Sequence, residues 1–559
     1  MNHRHAFRVR RYAFAGALAL GLAPAAAQAQ FTQPPAPAAY ALRNVTVVQA
    51  DGTTQPGQTL IVRRDRIETI ARGAAIPGDA NVLDGDTLYV YPGLIDAAGM
   101  IDYEFPRDTT DRSQLRSWDP PRTLQGFTPS RRVLDFLTAV GADGADLRKK
   151  GILAVAAHPD LAQPLMPGRG VLVLLRPDAA APQQLVLRPD LAPLMTLRGG
   201  RGMYPSTAMG VMAWYRQTFL DAQRNNAIGE NGGSAGPSIG FDPDMQIVAE
   251  LLRTQGRVFF AANEANEIRR VLTLAEEFRF RPVIVGGAEA WQLAAELKAG
   301  NVPVLVSVDF EKPRRWKPDA KPAEGGEPPA LEPAAVREKR ELEAAYANAG
   351  RLARAGVTFA LVSGGDGDLR AGVLKTIEHG LSEADALRAL TATPAAVLDV
   401  APLARVQQGG SATFIVTDRP LLSKDARVLY TFVEGVMEKG AGAARDESAD
   451  SASGGAAANV AGTWSVEVVG PQTQTFTMKL TQDGSTVSGT MEGPEGTIPV
   501  NGKVEGNRLT LNATLVAGGR SIAIELTGEI EGDRATGKVE TSMGAFDWEA
   551  RRTGPGAQR

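Results

Sequence analysis

The sequence predicts an α/β protein with all-β flanks, on three observations. Four strand-plus-helix units follow one another after residue 256. Strand-like segments without helices bracket the central region, and a glycine-punctuated run of strand patterns closes the chain. Buried parallel strands read as short, continuous β-branched runs, and their covering helices read as amphipathic segments between them. Such a series builds either a (β/α)8 barrel or a doubly wound sheet. The length of 559 residues suggests about three domains. With 60 Lys+Arg against 63 Asp+Glu and a net charge of −3, there is no electrostatic case for nucleic acid. The absence of cysteine excludes disulfides, thiolate metal sites and a cysteine nucleophile.

Taken in order, the first segment is an address. Arg4, Arg8, Arg10 and Arg11 precede an apolar core from Tyr12 to Leu22, and Ala27-Gln28-Ala29 offers a small-x-small cleavage site before Gln30. Residues 1–29 are therefore expected to be a cleaved signal peptide, and the product exported to the periplasm or beyond. Losing the four arginines takes the net charge from −3 to −7. It also removes His3 and His5, so the mature chain keeps only His158 and His379. No later segment reads as a membrane span.

Residues 40–91 alternate polar and β-branched residues around Asp51-Gly52 and Asp84-Gly85 turns, which predicts a small β unit. Residues 92–400 hold the strand–helix series: GRVFFAAN before EANEIRRVLTLAEEF, RPVIVGG before AEAWQLAAELKAG, NVPVLVSVDF before AAVREKRELEAAYANAGRLARAG, and VTFALVSGG before DLRAGVLKTIEHG. Residues 312–334, charged and proline-rich, are too long for an ordinary connection and are expected to be a mobile insertion. Residues 401–439 return to strand patterns that can pair with the first β unit. Residues 440–458 are a low-complexity linker. Residues 459–553 repeat strands between turns such as Asp483-Gly484 and Gly532-Asp533, with Trp464 and Trp548 in apolar runs near either end. They predict an antiparallel meander closed into a small barrel or sandwich.

Three motifs resemble the amidohydrolase superfamily, close to its imidazolonepropionase-like branch. VYPGLIDAAG (90–99) resembles the family's first barrel strand. GLSEADALRALTATPAAVLDV (380–400) resembles its last helices. GSATFIVTDRPLL and LYTFVEGVMEKG resemble the strands that return to its small β domain. The resemblance covers about residues 40–440. It implies a TIM-like (β/α)8 barrel over 92–400, with a small β-sandwich made from the flanks 40–91 and 401–439. The closing 459–553 unit resembles a lipocalin-like β domain.

The resemblance also implies metal-assisted hydrolysis of non-peptide C–N bonds, in which zinc lowers the pKa of bound water and an aspartate moves the proton. The family's ligands are an HxH pair after strand 1, one histidine at each of strands 5 and 6, and an aspartate at strand 8. Here the HxH positions hold Ala98 and Met100, the strand 5 region is Phe260-Ala261-Ala262, the strand 6 end is Gly286-Gly287, and Gly364 stands for the aspartate. A family site needs four histidines and the mature chain has two. Zinc held without His or Cys would be unusual. The expectation is therefore no metal and no cofactor, although the family would imply zinc.

Candidate residues follow from their places. Asp366, two residues beyond Gly364, can substitute for the missing aspartate if its loop curls back. His158 ends the strand-like GILAVAAH, on the side where barrels do chemistry; without a role it would be a partly exposed loop histidine. These two are the catalytic candidates. Asp309 at the end of VSVDF and Asp96 at the strand 1 exit are the binding candidates, although a solvated loop for Asp309 and a strand-shaping role for Asp96 are the favoured readings. Asp102 and Glu104 in MIDYEF are candidates to replace the ligands missing at strand 1. His379 before Gly380 reads as a helix end, and one of Asp366 and Asp368 as a helix N-cap. Met203, Met209, Met212 and Trp214 read as core. No P-loop and no G-x-S-x-G elbow occurs. The reading is an exported protein of hydrolase ancestry whose degenerate, metal-free site binds a small molecule or partner. The alternative is an active hydrolase of amide or cyclic amide bonds with a non-standard site, so enzymatic activity stays open.

Overall fold

The structure is a computed structural model and describes residues 39–84, 88–106, 110–111, 113, 115–138, 142–200, 202–230, 242–310, 333–365, 367–440, 458–469, 474–493, 496–505, 507–517, 520–541 and 544–555. The leader 1–29, almost all of the 312–334 insertion and of the linker 440–458, and Asp366 lie outside the described residues.

Strands β1 (Ala39–Val48), β2 (Thr54–Arg63), β3 (Arg66–Ala71), β4 (Ala80–Asp84) and β5 (Tyr89–Pro92) form the first β unit. The central region contributes β6 (Leu94–Gly99), α1 (Arg122–Gln125), α2 (Ala142–Lys149), β7 (Ile152–Ala157), β8 (Gly168–Arg169), β9 (Val171–Leu174), β10 (Val186–Arg188) and β11 (Pro193–Thr196). It continues through α3 (Ala208–Glu230), α4 (Pro243–Arg253), β12 (Arg257–Ala262), α5 (Ala265–Phe278), β13 (Arg281–Gly286), α6 (Ala294–Ala299) and β14 (Val304–Ser307). It ends with α7 (Pro333–Ala355), β15 (Phe359–Val362), α8 (Leu369–Glu378), α9 (Glu383–Leu390) and α10 (Ala392–Val397).

All four expected strand–helix units are present. Helix α5 shows why. A capping box joins Glu264 and Glu267 at its start, and Ile268, Val271, Leu274, Ala275 and Phe278 bury one face. Strands β11 to β15 pair in parallel, one after the next, and β6 pairs in parallel with β7.

One part of the pattern departs from an all-parallel sheet. The segment 168–174 runs antiparallel to both of its neighbours: Gly168–Arg169 pair with β11, and Val171–Leu174 pair with β7. The central region is therefore a four-stranded sheet (β10-β9-β7-β6) and a six-stranded sheet (β15-β14-β13-β12-β11-β8), not one closed parallel sheet. Strands β6 and β15 pack side by side at the opposite seam. A run such as GVLVLL has the same hydrophobic pattern in either direction, so strand polarity is not written in it.

Strands β16 (Phe414–Thr417), β17 (Val428–Val433) and β18 (Val436–Lys439) return to the first β unit, with β16 antiparallel to β5. The expected sandwich is instead one eight-stranded sheet, β18-β17-β16-β5-β1-β2-β3, with β4 on β1. It curls enough for the ring of Tyr40 on β1 to meet Phe432 on β17 at 5.4 Å. Arg148 of α2, nearly buried, pairs with Glu438 and ties this sheet to the central region.

The eight strands β19 (Gly462–Val469), β20 (Gln474–Asp483), β21 (Thr486–Gly493), β22 (Gly496–Glu505), β23 (Arg508–Ala517), β24 (Arg520–Glu531), β25 (Arg534–Thr541) and β26 (Gly544–Pro555) form a closed antiparallel barrel. Its own core includes Trp464 and Trp548. Among the described residues no helix is long and apolar enough to cross a membrane.

Candidate functional site

The parallel strands of the six-stranded sheet end together at Thr196, Ala262, Gly286, Ser307 and Val362. A cavity of about 720 Å³ opens there, lined by Arg198, Asn263, Glu264, Ser307, Asp309 and Glu341 among others. A second cavity of about 420 Å³ adjoins it, lined by Met100, Asp102, Tyr103, His158 and Asp160. Leu161 and Gly364 line both, so the two form one mouth. Among the described lining residues, Glu264, Glu267, Asp309, Glu338 and Glu341 stand around the larger part against Arg198. Glu267 is partly committed, since it accepts from the backbone N–H groups of Asn263 and Glu264. Asn348 of α7 donates to the Gly287 carbonyl and accepts from the Trp291 N–H, which fixes the loop after β13.

His158 lines this mouth, but it is not a loop residue in solvent. Only 8% of it is exposed. Its ring lies 4.5 Å from that of Phe259. Nε2 is 3.0 Å from the Ala97 carbonyl and donates to it, while Nδ1 is buried without a partner. Burial pushes its pKa down to about 4, so the imidazole is neutral near pH 7. Asp309 is exposed at the rim, and its N–H donates to Ser307 Oγ. Asp96 lies elsewhere, fully inside, and accepts from the N–H groups of Ala98 and Ser363. Burial raises its pKa above the usual carboxylate value. The structure thus brings His158 and Asp309 to one mouth and leaves Asp96 behind it, where it joins β6 to the end of β15. Asp366 lies outside the described residues.

The bland readings can be checked in the same way. Asp368 caps α8 by accepting from the Ala371 N–H. His379 ends that helix, with Nδ1 2.8 Å from the Lys375 carbonyl. Asp102 lines the mouth, whereas Glu104 is exposed. Met209 is 83% exposed and is not core. Tyr103 escaped the sequence reading. It lines the mouth, and burial pushes its hydroxyl up to about 12. Its only signal was an aromatic residue just past strand 1.

Zinc does not fit the described residues. No group of three or more His, Asp or Glu side chains among them could hold a metal. The positions matching the family's strand 6 and strand 8 ligands are Gly286, with φ +101°, and Gly364, with φ +73°. A Cβ built on Gly286 would collide with Asn263 Oδ1, and one on Gly364 with Ser307 Oγ. Met100, at the second HxH position, is 59% exposed. At these two glycines the backbone holds a conformation that L side chains avoid, and neighbouring polar groups occupy the space a Cβ would take.

An α/β scaffold with a polar mouth at its strand ends is one of the common sites of binding and catalysis. No family profile matches the sequence. No curated protein matches it. Among solved structures, the fold is similar to that of an amidohydrolase from Thermotoga maritima, with a TM-score of 0.57 and 20% identity, over 71% of this chain and 99% of that one. A prolidase in complex with N-methylphosphonate-L-proline matches at a TM-score of 0.42 and 17% identity, over 72% of this chain and 99% of its own. A Xaa-Pro dipeptidase with methionine in its active site matches at 0.41 and 14%, over 72% and 100%. Only the first likeness is strong enough to bear on the fold, and at that identity it speaks to the fold and not to the reaction.

Proposed function

We propose that the chain is an exported protein of amidohydrolase ancestry, nearest the imidazolonepropionase-like branch, that has lost the metal centre and binds a small molecule at its strand-end mouth. In this reading the two central sheets are a (β/α)8-type barrel whose third strand is inverted. The arginine-led leader supports export to the periplasm or beyond. One observation carries the loss of the centre: Gly286 and Gly364 hold positive φ, and Asn263 and Ser307 fill the space a ligating side chain would need. The excess of carboxylates over Arg198 in the larger cavity favours a neutral or cationic ligand. His158 and Asp309 are its expected contacts.

The test is turnover by the purified mature protein on a panel of dipeptides, hydantoins and lactams, with and without added zinc or manganese. The expected result is no turnover above a heat-denatured control. Turnover that Asp366→Ala abolishes would overturn the reading and establish an active hydrolase with a non-standard site.

A further inference from the structure

Another cavity of about 330 Å³ lies behind β6 and β7 and shares Met100, Asp102 and Gly365 with the smaller part of the mouth. That volume is at the lower end of the roughly 300–1,000 Å³ range of small-molecule sites. Its body is apolar, made by Leu94, Ile152, Val155, Leu369, Leu390 and Leu422. At one side Lys150 and Arg370 line both this cavity and an adjoining cleft of about 380 Å³ that also holds Lys149, Lys424 and Arg427.

Among the described residues the cavity and the cleft are lined by Lys149, Lys150, Arg370, Lys424 and Arg427 against Asp96, Asp102, Asp146 and Asp368. Lys149 is paired with Asp146 at 3.0 Å, and Arg427 with Asp418 at 2.9 Å. The Asp368 carboxylate is committed to capping α8. Lys150, Arg370 and Lys424 form no ion pair with a described carboxylate. Asp368, Asp418 and Asp425 act on Arg370 only through space. Its guanidinium is pinned, donating from Nη2 to the Ser423 carbonyl at 2.7 Å. Its Nε is buried with no acceptor at all. A half-buried guanidinium with an unused donor loses water without gaining a partner, which is unfavourable until an acceptor arrives. Asp96 also lines the cavity, and burial raises its pKa above the usual carboxylate value.

We propose that this cavity binds an amphiphilic carboxylate, with its hydrocarbon body among the leucines and its carboxylate at Arg370 and Lys150. The site borders the smaller part of the strand-end mouth, sharing Met100, Asp102 and Gly365 with it, and is set apart by the cations at its own portal. It does not depend on the proposed function.

The experiment is isothermal titration calorimetry on the full mature chain with hexanoate, octanoate, decanoate, decanol and inorganic phosphate. Decanoate is expected to bind at one site, with affinity rising about threefold to fourfold per methylene from hexanoate. Decanol is expected to bind at least tenfold more weakly, and so is decanoate to Arg370→Gln. Lys150→Gln, at an exposed position that does not threaten folding, is expected to weaken decanoate at least threefold. Equal binding of decanol and decanoate would overturn the proposal, as would unchanged binding by folded Arg370→Gln and Lys150→Gln. Binding of phosphate with no gain from chain length would show a plain anion cleft and overturn it as well. So would the absence of any binding.

Discussion

The reading of a filled metal site can be tested by putting the missing carboxylate back. Gly364→Asp restores the residue type that the resemblance places at strand 8. Two costs follow from the geometry. The backbone at Gly364 sits at φ +73°, where a residue with a Cβ costs about 1–2 kcal/mol. The new Cβ also overlaps Ser307 Oγ, and overpacking of this kind costs about 1–3 kcal/mol. Together they amount to about 2–5 kcal/mol, which at roughly 2–4 °C per kcal/mol lowers the α/β melting transition by roughly 4–20 °C. Gly202 provides the control. Its φ is +71° and a Cβ there meets nothing within 4 Å, so Gly202→Asp carries the backbone term alone. The double variant Ser307→Ala/Gly364→Asp removes the hydroxyl and is expected to recover at least about 1 kcal/mol, a coupling a double-mutant cycle isolates. Melting is followed by circular dichroism. If Gly364→Asp melts within about 1 °C of Gly202→Asp, or if Ser307→Ala returns nothing, the reasoning about a filled site is refuted.

Other outcomes follow from burial. His158 has a folded pKa of about 4 against about 6.5 when unfolded, so the unfolded chain binds the extra proton. Its contribution is complete above pH 6.5 and is lost as pH falls toward 4, about 3 kcal/mol in all. Urea titrations at pH 4 and 7 are expected to show that His158→Gln flattens this dependence; an unchanged slope would mean that the ring is solvated. Asp96 has the opposite sign. Its pKa is raised in the folded state, so its contribution is full in acid and is lost as pH rises through the folded value. Asp96→Asn is expected to gain stability relative to wild type from about pH 4 upward, and a constant difference across pH would contradict this. In the closing barrel, Trp464 is buried and donates from Nε1 to the Val460 carbonyl at 2.9 Å. Trp464→Ala is expected to cost about 3–5 kcal/mol in that barrel's transition alone. Calorimetry showing an equal shift in the α/β transition would contradict the separation of the two cores.

Much of the fold could be read from the residues because period and composition carry it. EANEIRRVLTLAEEF has its apolar residues on one face, and that face is buried in α5. The Asp483-Gly484 and Gly532-Asp533 pairs sit at turns of a meander that closes on itself. The direction of 168–174 was not legible, since its pattern is symmetric. Nor was the curling of the flanking strands into one sheet, which depends on how β1 shares its edge between β4 and β5. At the site, the missing histidines were visible as a count. The burial of His158 was not, because it depends on Phe259, a residue distant in sequence. The close approach of Asn263 to Gly286 and of Ser307 to Gly364 was equally hidden. It follows from positive φ at two glycines, and a glycine in a sequence permits that conformation without requiring it.

The central proposal is that the strand ends do not assemble the zinc centre that the resemblance implies. The most direct measurement is a zinc titration of the chelator-treated mature protein, with bound metal counted by mass spectrometry after desalting. The account predicts well under 0.1 equivalent retained, and a calorimetric trace indistinguishable from buffer. One equivalent or more, held through desalting and released on Asp366→Ala, would contradict it.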